Sequence, residues 1–108
     1  MSFDIISIPS FDKKTKHLVR KYPSLKKELQ ELKMHLVTNP TSGISLGHNC
    51  YKIRIAIASK GTGKSGGARV ITHIYVSGST VYLLTIYDKS EQDNITDKDL
   101  LSLINAIR

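Results

Sequence analysis

Three cationic side chains fall on two stretches of sequence that alternate apolar and polar residues. Lys52 and Arg54 alternate with isoleucines in CYKIRI, and Arg69 begins RVITHI further along the chain. Side chains two positions apart on a β-strand point to the same face, so pairing of these strands would gather the three cations into one patch. Such a patch can bind a phosphate and stabilise the negative charge that builds on phosphorus during nucleophilic attack.

The cationic patch fits two kinds of site. Neighbouring cations favour the neutral form of a lysine, so Lys52 could take the proton from a ribose 2′-hydroxyl, which would make the protein a metal-independent ribonuclease. A face that binds phosphate without cutting it needs no base, and composition alone favours that simpler site. His73 shares the strand parity of Arg69 and is expected on the same face.

The charge distribution points to an anionic partner. The chain carries 16 Lys or Arg against 9 Asp or Glu, a net charge of +7, and residues 33–87 contain no carboxylate at all. A one-signed field of this kind favours nucleic acid or an acidic protein segment. A solvated basic surface that only keeps the protein soluble explains the charge equally well.

The glycine-rich segment SKGTGKSGG, residues 59–67, is similar to a phosphate-binding loop but has the wrong spacing. The pattern G-x-x-x-x-G-K-S would need a glycine at Ala58, and the segment leads into a strand where such a site needs a helix. We therefore predict a flexible hairpin loop that presents Lys60 and Lys64 beside the basic face. The four histidines and the single cysteine, Cys50, show no metal-ligand spacing, so we expect no metal ion and no cofactor.

Periodicity predicts the elements that hold these residues. FDIISI is typical of a strand that ends at Pro9, and two helices follow, with Ser10 and Ser24 as their predicted N-caps. The second helix carries a continuous leucine stripe, and we expect a surface loop in the ten residues after Pro40. Three strands joined by hairpins come next, and a helix capped by Thr96 ends the chain.

This order predicts a single α+β domain over residues 1–108: an N-terminal strand, a helical hairpin, a three-stranded antiparallel meander and a C-terminal helix. No apolar run is long enough to span a bilayer and the start does not look like a signal peptide, so we expect a cytoplasmic protein with no membrane partner. The oligomeric state stays open, with a monomer as the default because no coiled-coil seam is present.

Residues 50–76, CYKIRIAIASKGTGKSGGARVITHIYV, and residues 81–91, VYLLTIYDKSE, resemble the central signature of RelE/ParE-superfamily toxins. The likeness is in particular to the RelE-like and HigB-like branch, with its K-G-x-G-K-x-G-G-x-R-V/I-I segment. The resemblance extends more loosely over the whole chain. It implies a RelE-like, microbial ribonuclease-like fold and a bacterial type II toxin that cuts messenger RNA on the ribosome by 2′-hydroxyl attack. It also implies a cognate antitoxin as partner.

The resemblance assigns four catalytic residues. Lys52 and Arg54 match the basic pair of the second strand, and Arg69 matches the arginine that contacts the scissile phosphate. Lys89 matches the basic position after the last strand. An acidic amphipathic antitoxin helix is expected to cover the face that holds Arg54 and Arg69.

Four further residues are expected to bind RNA. Lys60 and Lys64 lie in an insertion characteristic of the branch, where contact with the backbone of ribosomal or messenger RNA is the expectation. Several nucleases of the family place a Tyr or His near the C-terminus, but residues 92–108 contain neither. Tyr87 and His73 are the candidate substitutes.

Two other functions are consistent with the resemblance. The ParE branch inhibits DNA gyrase without nuclease chemistry, and its members generally lack the full set of basic residues. Retention of Lys52, Arg54 and Arg69 therefore favours the nuclease. A non-catalytic relative would use the same basic face only to bind RNA or an antitoxin.

Overall fold

The computed structural model describes residues 2–61, 63–92 and 94–107. Within these ranges the chain forms five strands, three α-helices and one 3₁₀ turn. None of the described helices is long and apolar enough to cross a membrane. In chain order the elements are β1 (Asp4–Ser7), α1 (Pro9–Lys21), α2 (Leu25–Thr38), β2 (Ile44–Gly47), β3 (Cys50–Ile55), the 3₁₀ turn (Ala58–Lys60), β4 (Ala68–Tyr75), β5 (Thr80–Asp88) and α3 (Asp97–Asn105).

The five strands form one sheet in the order β1-β5-β4-β3-β2. β2 to β5 pair antiparallel as a meander, and β1 pairs parallel with β5. This arrangement confirms the predicted α+β fold, with its N-terminal strand, helical hairpin, meander and C-terminal helix. β4 and β5 are buried over nearly their whole length because helices cover both faces of the sheet.

The meander has one more strand than predicted, because the segment after Pro40 is not all loop. Ile44–Gly47 pairs with the start of β3 and extends the sheet by a short edge strand. The two strands are joined by His48 and Asn49, whose φ angles are 55° and 58°. A two-residue turn with both residues in the left-handed region matches the twist of a hairpin, and Asn is among the residues that tolerate that region.

The two N-terminal helices bury the predicted apolar positions. The leucine stripe of α2 is buried throughout, and each such side chain contributes about 1.5–3 kcal/mol relative to an exposed one. Its members are Leu25, Leu29, Leu32 and Leu36. On the opposite face of the sheet, α3 borders His73 and Tyr82 of β4 and β5, and its Leu100 is buried.

The predicted helix caps were only partly right. The N-cap of α1 is Ile8, and the Ser10 hydroxyl donates to the carbonyl oxygen of Leu84 at 2.8 Å, which fastens the helix to β5. Ser24 occupies the N-cap position of α2, but its side chain bonds Glu28 and does not cap a helical N–H. Thr96 caps α3 as predicted, with its Oγ1 accepting from the Asp99 N–H at 3.2 Å.

Candidate active site

Strand register brings the predicted cations onto one face of the sheet. Arg54 of β3 lies directly opposite Arg69 of β4, and Arg69 lies opposite Tyr87 of β5. Lys52, two residues before Arg54, points to the same side because side chains alternate along a strand. Arg54 is exposed, Lys52 is half-buried and Arg69 is only 2% exposed. The strands thus gather the three cations, but at different depths.

Lys52 contacts the segment that leads from β5 to α3. Its Nζ donates to Oδ1 of Asn94 at 3.3 Å. Arg54 makes no ion pair within the described ranges, and neither does Lys52. On the accessible part of the basic face, Lys52 and Arg54 therefore have no ion-pair partner among the described residues, although Glu28 and Glu31 line the groove that Arg54 borders.

The guanidinium of Arg69 is turned into the glycine-rich loop. Its Nη1 donates to the carbonyl oxygens of Lys64 and Ala68 at 2.9 and 3.2 Å, and its Nη2 donates to that of Ser65 at 3.0 Å. In this conformation Arg69 holds the loop between β3 and β4 and does not present its guanidinium to solvent. A contact between Arg69 and a scissile phosphate requires the loop to release it.

Lys60 is engaged inside the fold. Its ammonium forms an ion pair with Asp88, whose side chain is fully buried, and only 15% of the Lys60 side chain is exposed. Asp88 also accepts hydrogen bonds from the Tyr22 hydroxyl at 2.9 Å and from the N–H and hydroxyl of Ser90 at 3.0 and 2.9 Å. The Lys60 ammonium is therefore committed to a buried carboxylate. The predicted contact of Lys60 with RNA backbone stays a prediction, and it would require the ammonium to leave Asp88.

The environment of Asp88 keeps it charged. Burial alone would raise the pKa of Asp88, but the hydrogen bonds from Lys60, Ser90 and Tyr22 outweigh it and hold that pKa well below its usual range. Sequence reasoning missed both Asp88 and Tyr22. The available signal was a single acid at the end of an otherwise apolar strand, which often marks a buried, paired charge.

Lys64 and Lys89 flank the loop in different ways. The Lys64 side chain is exposed and, with Arg54, borders a groove of about 440 Å³ between α2 and the edge of β3. The backbone N–H of Lys89 donates to the carbonyl oxygen of Gly67 at 3.0 Å, so this residue follows β5 beside the base of the loop. Lys64 thus has the accessibility that its predicted RNA contact needs.

His73 lies toward the other end of the same face. Its Nδ1 is 3.4 Å from the Sγ of the buried Cys50, and its ring borders a pocket with Tyr75 and Tyr82. Burial raises the pKa of the Cys50 thiol to about 11. Burial also lowers the pKa of His73, although a backbone hydrogen bond at His48 opposes the shift. The pair is therefore a neutral thiol beside an imidazole and not a thiolate nucleophile.

Tyr87 is almost fully buried, at 4% exposure, and forms one wall of a cleft beside α1. The two predicted substitutes for a C-terminal Tyr or His are thus separated, since Tyr87 lies opposite Arg69 and His73 lies opposite Cys50. Among the residues in the described ranges, no three His, Cys, Asp or Glu side chains lie together in the way a metal ion needs.

The sheet order, the two N-terminal helices and the cations gathered at one end define a RelE-like α+β protein. A solved structure of the E. coli toxin RelE, a double arginine-to-alanine mutant in the free state, is similar over 100% of both chains, with a TM-score of 0.66 and 13% sequence identity. At that identity the likeness establishes the fold. The sequence also matches the family described as the RelE toxin of the RelE/RelB toxin-antitoxin system, over residues 11–106. The chain belongs to the RelE toxin family and is the toxin of a toxin-antitoxin system.

Proposed function

We propose that the protein is a ribosome-dependent endoribonuclease that cuts messenger RNA and so inhibits translation. The observation that carries the proposal is the accessible basic face, on which Lys52 and Arg54 lie side by side without a described carboxylate partner. Catalysis by cations suits phosphodiester cleavage, because negative charge grows on the phosphoryl oxygens as the nucleophile attacks. Membership of the RelE toxin family supports the same activity.

The proposed reaction is an internal displacement at phosphorus. Lys52 in its neutral form takes the proton from the ribose 2′-hydroxyl, the 2′-oxygen attacks phosphorus, and the bond from phosphorus to the 5′-oxygen breaks. Arg54 neutralises the phosphoryl oxygens, and Arg69 joins it when the loop releases its guanidinium. Lys89, beside the base of the loop, gives a proton to the departing 5′-oxygen, and Lys52 passes the proton it has taken to water. The products are a 2′,3′-cyclic phosphate and a free 5′-hydroxyl.

The partners follow from the same charges. The ribosome holds the messenger RNA against the basic face, with Lys64 as an accessible contact on the loop and His73 and Tyr87 as the aromatic candidates. A cognate antitoxin with an acidic segment competes for the face around Arg54. Because both ligands are polyanionic, both associations weaken as salt rises. The site of action is the cytoplasm, where ribosomes translate.

The test is primer extension on a defined message with and without programmed ribosomes. We expect new 5′ ends only when ribosomes are present, and we expect Arg54→Ala to remove them. Lys33→Ala, which changes an exposed lysine of α2 away from the basic face, is the matched control and should cleave like the wild type. Intact message in every tube, with folding verified, would overturn the nuclease and make DNA supercoiling by gyrase the next assay.

A further inference from the structure

The solvent side of α1 is almost entirely cationic. The helix carries five Lys or Arg residues and one Asp, and all of these side chains are exposed. Two rows of cations run along it at spacings of three and four residues, which places each row on one side of the helix. One row is Lys13, Lys16 and Arg20, and the other is Lys14 and Lys21, with His17 between them.

Most of these charges have no acidic partner among the described residues. Within the described ranges the only ion pair on α1 joins Lys21 to Glu91 at 3.9 Å, between side chains that are about half exposed. The adjacent helix α2 has three lysines but also two glutamates, so its net charge is far smaller. An excess of exposed like charges on one helix costs self-repulsion, and a bound polyanion relieves that cost.

α1 is also fixed in place relative to the candidate active site. Near its N-terminus, Ser10 donates to the carbonyl oxygen of Leu84 at 2.8 Å. Just past its C-terminus, the Tyr22 hydroxyl donates to the buried Asp88 at 2.9 Å. The helix therefore lies along the second half of β5, where β1 no longer pairs. The backbone of α1 is thus anchored to the strand that carries Tyr87.

A cleft at the foot of α1 joins the two surfaces. It has a volume of about 400 Å³ and runs between Lys13, Lys14 and His17 on the helix and Tyr87 and Gln92 on the other side. Tyr87 lies directly opposite Arg69 in the sheet, so the cleft begins where the candidate active site ends. Two carboxylates border it, of which Asp88 is paired with Lys60 and Glu91 with Lys21.

We propose that the cationic side of α1 and the cleft at its foot form a second RNA-binding surface, which takes phosphates of a strand segment beyond the one at Lys52 and Arg54. The ligand is the ribose-phosphate backbone of RNA, recognised by charge and not by base edges. The proposal rests on the proposed function only in that the ligand is RNA. On this proposal α1 contributes part of the protein's affinity for RNA, in addition to the contribution of Lys52 and Arg54 on the sheet.

The test compares two triple variants that change the net charge equally. One replaces Lys13, Lys14 and Lys16 of α1 by Gln, and the other replaces Lys26, Lys27 and Lys33 of α2 by Gln. All six lysines are exposed. Each variant lowers the net charge from +7 to +4, because each removes three positive charges. The probe is a fluorescent single-stranded RNA oligonucleotide, and binding is measured by anisotropy over a series of salt concentrations.

We expect the α1 variant alone to lose affinity, with a slope of log K against log salt that is shallower by about 2, since each phosphate contact to a single strand contributes roughly 0.7. Equal losses in both variants would overturn the proposal, because net charge alone would then explain the binding. A polyglutamate peptide that binds α1 as tightly as the RNA would also overturn it, in favour of an acidic protein segment. None of these readouts depends on cleavage, so failure of the nuclease and failure of the α1 surface are distinguished.

Discussion

Lys60 and Lys64 belong to the same glycine-rich loop and have the same chemistry, yet the structure predicts opposite consequences for their loss. Lys60→Met leaves the fully buried Asp88 without its cation, and removal of one partner from a buried ion pair typically costs about 3–5 kcal/mol. The hydrogen bonds that Tyr22 and Ser90 still donate to Asp88 place the expected loss near the lower end, at about 3 kcal/mol. Lys64→Met changes an exposed side chain and should stay within about 0.5 kcal/mol.

The assay is urea unfolding followed by circular dichroism, with a thermal scan beside it. For a chain of this length, a loss of about 3 kcal/mol corresponds to a fall of about 12 °C in Tm. A third variant, Lys60→Met combined with Asp88→Leu, should recover much of that loss, since an apolar pair of similar volume avoids the desolvation of both charges. Equal stabilities for Lys60→Met and Lys64→Met would refute the assignment of Lys60 to the interior. RNA binding should show the reverse order, with the larger loss for Lys64→Met.

Four further outcomes are expected. The stability that charged Asp88 provides is complete above its unfolded pKa of about 3.9 and is lost as pH falls toward its lower folded pKa. Asp88→Asn should therefore make the free energy of unfolding fall less steeply as pH decreases in the acid range. An unchanged slope would contradict this. Gly67→Ala should cost at least about 3 kcal/mol by urea unfolding, because a Cβ there would collide with the backbone carbonyl at the end of β3; a loss under about 1 kcal/mol would contradict that contact. Leu36→Ala should cost about 2–5 kcal/mol while Met34→Ala, on the exposed side of the same helix, should be nearly neutral, and equal losses would place α2 in another orientation. Iodoacetamide should modify Cys50 in the folded protein far more slowly than in urea, since the thiol is buried with a pKa of about 11, and fast native labelling would show it accessible.

Long elements with a clear periodicity of apolar residues could be predicted from the sequence, and short elements could not. The leucine stripe of α2 and the apolar run of β5 identify both elements because their periodicity extends over several turns or many strand positions. β2 has only four residues and depends on pairing with β3, which a local pattern does not contain. Ser10 has the right type for a helix cap, but β5 offers its hydroxyl a carbonyl oxygen that only the tertiary fold provides.

The candidate site shows the same division. Parity along β3 and β4 predicts that Lys52, Arg54 and Arg69 share a face, because alternation is a property of each strand and pairing aligns them. How deeply a side chain is buried, by contrast, does not follow from the alternation along its strand. Arg69 is covered by the folded conformation of the neighbouring loop, and Lys60 is bound by Asp88, which lies 28 positions away. Charge and spacing contain neither feature, so they could not show which cations are accessible.

The parallel pairing of β1 with β5 has a consequence for how the protein is made. Asp4 pairs with Thr80, 76 positions later, so the first strand to leave the ribosome has no sheet partner until most of the chain has followed it. Domains form as cooperative units during synthesis, and contacts of this separation close late. A nascent chain that stops before β5 also lacks the strand to which α1 is fastened and the carboxylate that holds the glycine-rich loop. Incomplete translation products are therefore unable to assemble the basic face, which forms only once β5 has been synthesised.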